Sequence, residues 1–136
     1  MNYDLIVIGS GPGGYVAAIR GSQLGLKTAV VERAELGGIC LNWGCIPTKA
    51  LLRNAELYRF LRHHAGDFGY RFDNLSFDWG TIIGRSRKVA DRLAGGIEML
   101  FKKNKVDYLR GRGAVIDPAT VEVTGAGDKS ERHTAD

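Results

Sequence analysis

At 136 residues, with 44% hydrophobic and 25% charged residues, the chain is one domain's worth of an ordinary soluble protein. The acidic start Met1-Asn2-Tyr3-Asp4 and the short apolar run after it exclude a secretory leader or membrane span in that stretch, so a cytoplasmic location is expected. The net charge of +4 is concentrated between Arg85 and Arg112, where nine Lys or Arg (85, 87, 88, 92, 102, 103, 105, 110, 112) meet only Asp91, Glu98 and Asp107. That run lacks interleaved aromatic residues and any nucleic-acid motif, so it reads as a solvated helix face, with no nucleic-acid partner expected.

Tyr3 to Ile8 is a short apolar, β-branched run, predicted to be a buried strand. It leads directly into Gly9-Ser10-Gly11-Pro12-Gly13-Gly14, a match to G-x-G-x-x-G, and then into a predicted helix over Tyr15–Leu24. Lys27–Val31 is predicted to be a second strand, closed by Glu32, which lies 18 residues beyond Gly14. In such a unit Gly9 permits the tight turn, Gly11 lets backbone approach a pyrophosphate, and Gly14 lets helix and strand pack closely. The helix N-terminus offers N–H groups to phosphate, and Glu32 is placed to accept from an adenosine ribose. A glycine-rich turn alone would be weak, but the strand, the helix and the acid around it favour dinucleotide binding.

Gly37 and Gly38 let the chain pass close to a ligand on the way to Cys40-Leu41-Asn42-Trp43-Gly44-Cys45. These are the only two cysteines, separated by four residues. A helix is predicted from Pro47 to about Arg62, which puts Cys45 at or just before its N-terminus, where positive dipole favours a thiolate. The pair therefore reads as a redox couple. Three other readings stand beside it. Zinc would need ligands from His63, His64 or His133, and the cysteine spacing is unusual for a zinc knuckle. A purely structural disulfide would close a small loop, worth about 2 kcal/mol in the chain-entropy model. The third is two unrelated buried cysteines. Lys49, one turn beyond Cys45, is either a solvated lysine or a cation beside the redox centre; position alone leaves both open.

His63 to Ser76 reads as a loop or short ribbon, with His63 and His64 facing solvent at the helix end. Asp78 is a candidate N-cap for a long helix to about Lys103. Ile82, Ile83, Val89, Ala90, Leu93, Ile97, Leu100 and Phe101 recur along it at helical spacing and are expected to face the core. Val106–Arg110 is predicted to be a third strand. Ala114–Ile116 and Val121–Val123 read as an antiparallel ribbon turned at Asp117-Pro118-Ala119-Thr120. Gly125-Ala126-Gly127-Asp128 is a further turn, after which a returning strand is expected; the residues there are polar, and His133 is expected in a polar tail.

The stretch Leu36-Gly37-Gly38-Ile39-Cys40-Leu41-Asn42-Trp43-Gly44-Cys45-Ile46-Pro47-Thr48-Lys49-Ala50-Leu51-Leu52 resembles the redox-active site of the flavin-dependent disulfide reductases. Its Ile46-to-Leu52 tail is most similar to the dihydrolipoamide dehydrogenase branch. The resemblance implies an α/β fold: a Rossmann-like FAD-binding domain with a parallel sheet and an appended antiparallel β ribbon, incomplete at the C-terminus. It implies that residues 1–136 are the N-terminal, FAD-binding part, with the nicotinamide and dimerisation domains outside them.

The resemblance also assigns roles. Gly9, Gly11 and Gly14 would hold the FAD pyrophosphate and Glu32 the ribose, with Arg33, Gly37, Gly38 and Gly113 also along the cofactor. Cys45 would face the flavin, Cys40 would exchange with the substrate disulfide while also bordering the cofactor, and Lys49 would sit near the flavin ring. The implied reaction oxidises dihydrolipoamide with NAD⁺ as co-substrate. The implied partners are lipoamide or the lipoyl domain of a 2-oxo acid dehydrogenase complex, and a second subunit in a homodimer. No metal and no membrane contact are expected. Another disulfide reductase, such as a mercuric reductase-like enzyme, and a non-catalytic flavin-binding fragment are the alternatives.

Overall fold

The structure, a computed structural model, describes residues 1–135 and stacks them in three layers. The middle layer is a three-stranded parallel sheet of β2 (Leu5–Ile8), β3 (Thr28–Glu32) and β4 (Asp107–Arg110), in the order β2-β3-β4. Its central strand is buried from Thr28 to Val31, as a near-continuous apolar strand covered on both faces must be. Successive side chains on a strand point to opposite faces. Val30 accordingly packs with Ala18, Ile97 and Phe101 on the helical side, while Val31 packs with Val121 and Val123 on the other.

The helical layer holds α1 (Pro12–Gln23), the short α2 (Gly38–Asn42), α3 (Cys45–His63) and α4 (Trp79–Asn104), with a 3-10 turn at Ala65–Phe68. Pro12 opens α1 at the position where its missing N–H is harmless. Asp78 caps α4 by accepting from the Thr81 N–H, as expected. The outer layer is a four-stranded sheet in the order β1-β7-β6-β5, made of β1 (Asn2–Tyr3), β5 (Arg112–Asp117), β6 (Thr120–Thr124) and β7 (Ser130–Ala135). The parallel sheet and the antiparallel β5–β6–β7 ribbon match the expected α/β architecture.

Four features depart from the sequence expectations or add to them. The first strand is two: Asn2–Tyr3 pairs with β7, and Leu5–Ile8 pairs with β3. The break is at Asp4, whose carboxylate accepts from the Lys27 N–H at 2.7 Å while the Asp4 N–H donates to the Lys27 carbonyl at 2.9 Å. Second, a short helix that no sequence pattern predicts forms at Gly38–Asn42 and carries Cys40. Third, the returning strand expected after the Gly125–Asp128 turn forms at residues 130–135, antiparallel to β6, and it also pairs in parallel with β1 on its other side. His133 is therefore buried, 4% exposed, and not part of a solvated tail. Fourth, the α4 stripe is only partly covered. Ala90, Ile97 and Phe101 are buried, whereas Ile83, Leu93 and Leu100 remain more than a third exposed.

The nine basic residues from Arg85 to Arg112 are all exposed, and so are His63 and His64. None of the helices among the described residues is long and apolar enough to cross a membrane.

Candidate functional site

The glycine-rich turn leaves β2 at Gly9, whose φ of 97° is open to glycine and strained for other residues. Its N–H donates to the Val31 carbonyl at 2.7 Å, which holds the turn against β3. A Cβ on Gly14 would lie 1.9 Å from the Gly9 carbonyl oxygen, so helix and turn touch as the third glycine of the motif requires. A Cβ on Gly11 would meet nothing within 4 Å, leaving that side of the turn open. Gly11 is also the N-cap of α1, with no side-chain cap and no acid in the first turn. The helix therefore presents uncompensated N–H groups and positive dipole to an anion.

Glu32 ends β3 beside this turn. One carboxylate oxygen accepts from the Ser10 N–H at 3.0 Å and the Ser10 hydroxyl at 2.9 Å; the other accepts from the Ala34 N–H at 2.9 Å. Burial pushes the carboxyl up, but the hydrogen bonds from Ser10, Ala34 and Arg33 outweigh it and hold Glu32 below its ordinary 4.5. Ser10, fully buried, fixes the Glu32 carboxylate and is not among the residues that the sequence singles out. Its only signal was a polar side chain inside the glycine motif.

Glu32 and Gly9 line a cavity of about 390 Å³, together with Arg33, Gly38, Trp43 and Gly113. Gly113 enters from β5 and packs close to Val31 and Ile8, 3.1 Å and 3.3 Å from a Cβ placed there. The structure thus gathers Gly9, Glu32, Arg33, Gly38 and Gly113 around one space. Gly11, Gly14, Gly37, Lys49 and the two cysteines lie outside its wall.

The cysteine segment is fastened to the glycine turn. The Gly37 N–H donates to the Ser10 carbonyl at 3.1 Å. A Cβ on Gly38 would lie 2.9 Å from the Gly11 Cα, so the chain entering α2 rests directly on the glycine-rich turn. Cys40, half-buried, packs against the core from within α2, and Cys45 is the exposed first residue of α3. The two form a disulfide with Cα atoms 4.6 Å apart. This supersedes the zinc and unrelated-cysteine readings, and no metal-binding cluster of His, Cys, Asp or Glu occurs among the described residues. Gly44 caps α3 without a side-chain hydrogen bond, and the first turn holds no acid, so nothing competes with a Cys45 thiolate for the helix dipole. Lys49 is exposed one turn along α3.

Chemically, the arrangement is a helix terminus open to an anion, a carboxylate held by Ser10 and Ala34 in a cavity wall, and a disulfide pair on the segment packed against the same glycine turn. A dinucleotide that carries electrons fits it.

Residues 3–136 match the family model for pyridine nucleotide-disulphide oxidoreductases. The chain is 55% identical over 123 residues to a dihydrolipoyl dehydrogenase of Rhizobium etli, covering 90% of this chain and 25% of that protein. It is 58% identical over 112 residues to one of Zymomonas mobilis, covering 82% and 24%. A mitochondrial dihydrolipoyl dehydrogenase of Schizosaccharomyces pombe is 52% identical over 124 residues, 90% and 24%. The chain therefore spans about a quarter of the length of these relatives, and it belongs to the pyridine nucleotide-disulphide oxidoreductase family.

Proposed function

We propose that this chain is the FAD-binding, disulfide-bearing part of a dihydrolipoyl dehydrogenase-like enzyme. The observation that carries the reading is the packing of Gly38 on Gly11, which sets the cysteine helix on the nucleotide turn. FAD, when bound, supplies the electron exchange between the cysteine pair and a nicotinamide. Gly9, Gly11, Gly14 and the α1 N-terminus would hold its pyrophosphate, Glu32 its ribose, and Arg33, Gly37, Gly38, Gly113 and Lys49 its flanks.

The chain's own chemistry is thiol–disulfide exchange. A substrate thiolate attacks the Cys40 sulfur, forming a mixed disulfide and releasing Cys45 as a thiolate at the α3 N-terminus. The second substrate thiol then attacks the mixed disulfide, closing the substrate disulfide and releasing the Cys40 thiolate. Two electrons enter the protein, and two protons leave the substrate thiols. The free dipole at Cys45 makes it the better leaving group.

Lipoamide, or a lipoyl-bearing protein, is the proposed substrate, NAD⁺ the co-substrate and the cytoplasm the location. A homodimer is the proposed assembly. An exposed apolar groove of about 380 Å³ between α3 and α4, lined by Leu51, Leu52, Phe77, Trp79 and Ile82, supports burial against further protein. The nicotinamide site and the general base are proposed to lie outside these residues, so the chain alone is expected to accept electrons without turning over NAD⁺.

Titration of the purified chain with FAD tests the cofactor assignment. Retention of FAD through gel filtration, lost in Gly11→Val, is the expected result. A chain that retains FAD equally well with Val at position 11 contradicts the assigned pyrophosphate site.

A further inference from the structure

Asn42 closes α2, and both its ends are tied. Its side-chain amide donates to the carbonyls of Leu36 and Gly38, each at 2.9 Å, which locks the end of α2 to its beginning. Its own carbonyl accepts from Arg87 Nη1 at 2.8 Å, across 45 residues of sequence. The last carbonyls of a helix have no intrahelical donor, so this guanidinium fills a vacancy that water would otherwise take. Arg87 projects from α4 between Ser86 and Ala90, both buried, and α4 is anchored further along by Ile97 and Phe101. The brace therefore runs from the core, through Arg87, to the residue two before Gly44 and three before Cys45.

We propose that Arg87 is a positioning residue for the cysteine pair, acting through the Asn42 carbonyl to keep α2 in register with α3 while the pair is reduced. The proposal rests on the redox reading of Cys40 and Cys45. In the oxidised chain the disulfide itself joins α2 to α3. Once that bond is broken, the link is the Trp43-Gly44 turn and the contacts around Asn42. Gly44 is tightly seated, 3.0 Å from the Ile39 carbonyl for a Cβ placed there, so the turn transmits any shift in α2. A brace on α2 thus raises the effective concentration of each thiol for the other.

The equilibrium with dithiothreitol reads that quantity directly. Dithiothreitol gives two electrons and two protons to the pair, becoming a cyclic disulfide and leaving Cys40 and Cys45 as thiols. Arg87→Met keeps the stem and removes the donors. It is expected to shift the equilibrium toward the dithiol by about three- to tenfold, the net range for one ordinary hydrogen bond, since the exposed guanidinium keeps water as an alternative partner. Arg87→Lys, which keeps a cationic donor, is expected to restore at least half of the shift. A merely structural arginine would lower the thermal midpoint and leave the thiol equilibrium where it is.

The wild-type chain is titrated first. A Cys40–Cys45 bond inert to dithiothreitol would remove the redox reading, and the Arg87 role with it. A wild-type bond that titrates, with the Met variant folded and superimposed on it, overturns the Arg87 role alone; so does a shift that Lys does not rescue. If the Met variant does not fold, Arg87→Gln provides the same comparison.

Discussion

Gly38 and Gly11 meet so closely that a Cβ on Gly38 would lie 2.9 Å from the Gly11 Cα. Two glycines far apart in sequence thus form one contact, and it joins the nucleotide turn to the helix that carries Cys40. Gly38 also has a φ of 60°, in the left-handed region. Gly38→Ala is expected to destabilise the chain by about 1–3 kcal/mol, from strain and from displacement of α2. Gly11→Ala is expected to move stability by less than about 1 kcal/mol, because its Cβ enters open space. Both should weaken FAD retention. Thermal unfolding beside FAD titration separates the two variants.

The Glu32 carboxyl is held below its ordinary 4.5 because hydrogen bonds from Ser10, Ala34 and Arg33 outweigh its burial. A carboxyl with a depressed folded value stabilises the fold above its unfolded value and loses that contribution as pH falls through the folded one. Stability should therefore decline as pH drops below about 4.5, with Glu32→Gln flattening that part of the curve. Urea unfolding from pH 6 to about 3 checks it. An unchanged slope in the variant would mean that Ser10 and Ala34 do not favour the ionised form.

His133 is buried with its Nδ1 unpartnered, and Tyr3 packs near it with ring centroids 6.0 Å apart. Burial lowers its affinity for a proton, the amino terminus adds to this, and Glu131 opposes it. The unfolded chain then binds more protons than the folded one just below the ordinary value of 6.5, so stability falls as pH drops from there. His133→Gln should reduce that decline. The neighbouring Tyr3 hydroxyl is pushed up to about 12, first by burial and then by its hydrogen bond to Asp107 at 3.0 Å, and stays protonated throughout.

These two groups mark what the sequence did and did not disclose. Glu32 was legible because strand, glycine turn and helix each carry a local pattern, and their spacing puts the acid at the strand end. His133 was not: a returning strand was expected after the turn, but β7 is polar, with no alternation of apolar residues to show which side chain is buried, and its pairing to β1 has no local signal. The α2 helix escaped for a related reason. It is five residues long, begins at a glycine and is fixed by Asn42 and Arg87, contacts that no local periodicity records. The α4 stripe extends beyond the core because periodicity shows which face is apolar, not what lies against it.

Trp43 is 57% exposed and stands in the wall of the cavity that holds Glu32 and Gly113. The other tryptophan, Trp79, lies in the groove between α3 and α4. FAD should therefore quench the Trp43 part of the emission and leave that of Trp79. Tryptophan fluorescence during FAD titration checks this, with Trp43→Phe expected to abolish most of the quenching. Equal quenching in that variant would place the flavin elsewhere.

The central claim, that FAD and the cysteine pair share one site, is tested most directly by the visible spectrum of the purified chain. The spectrum is recorded before and after anaerobic addition of dihydrolipoamide. A bound-flavin band that gains long-wavelength absorption, absent in Cys45→Ser, is the expected result. A chain that takes up FAD but shows no such change, with its disulfide reduced, would contradict it.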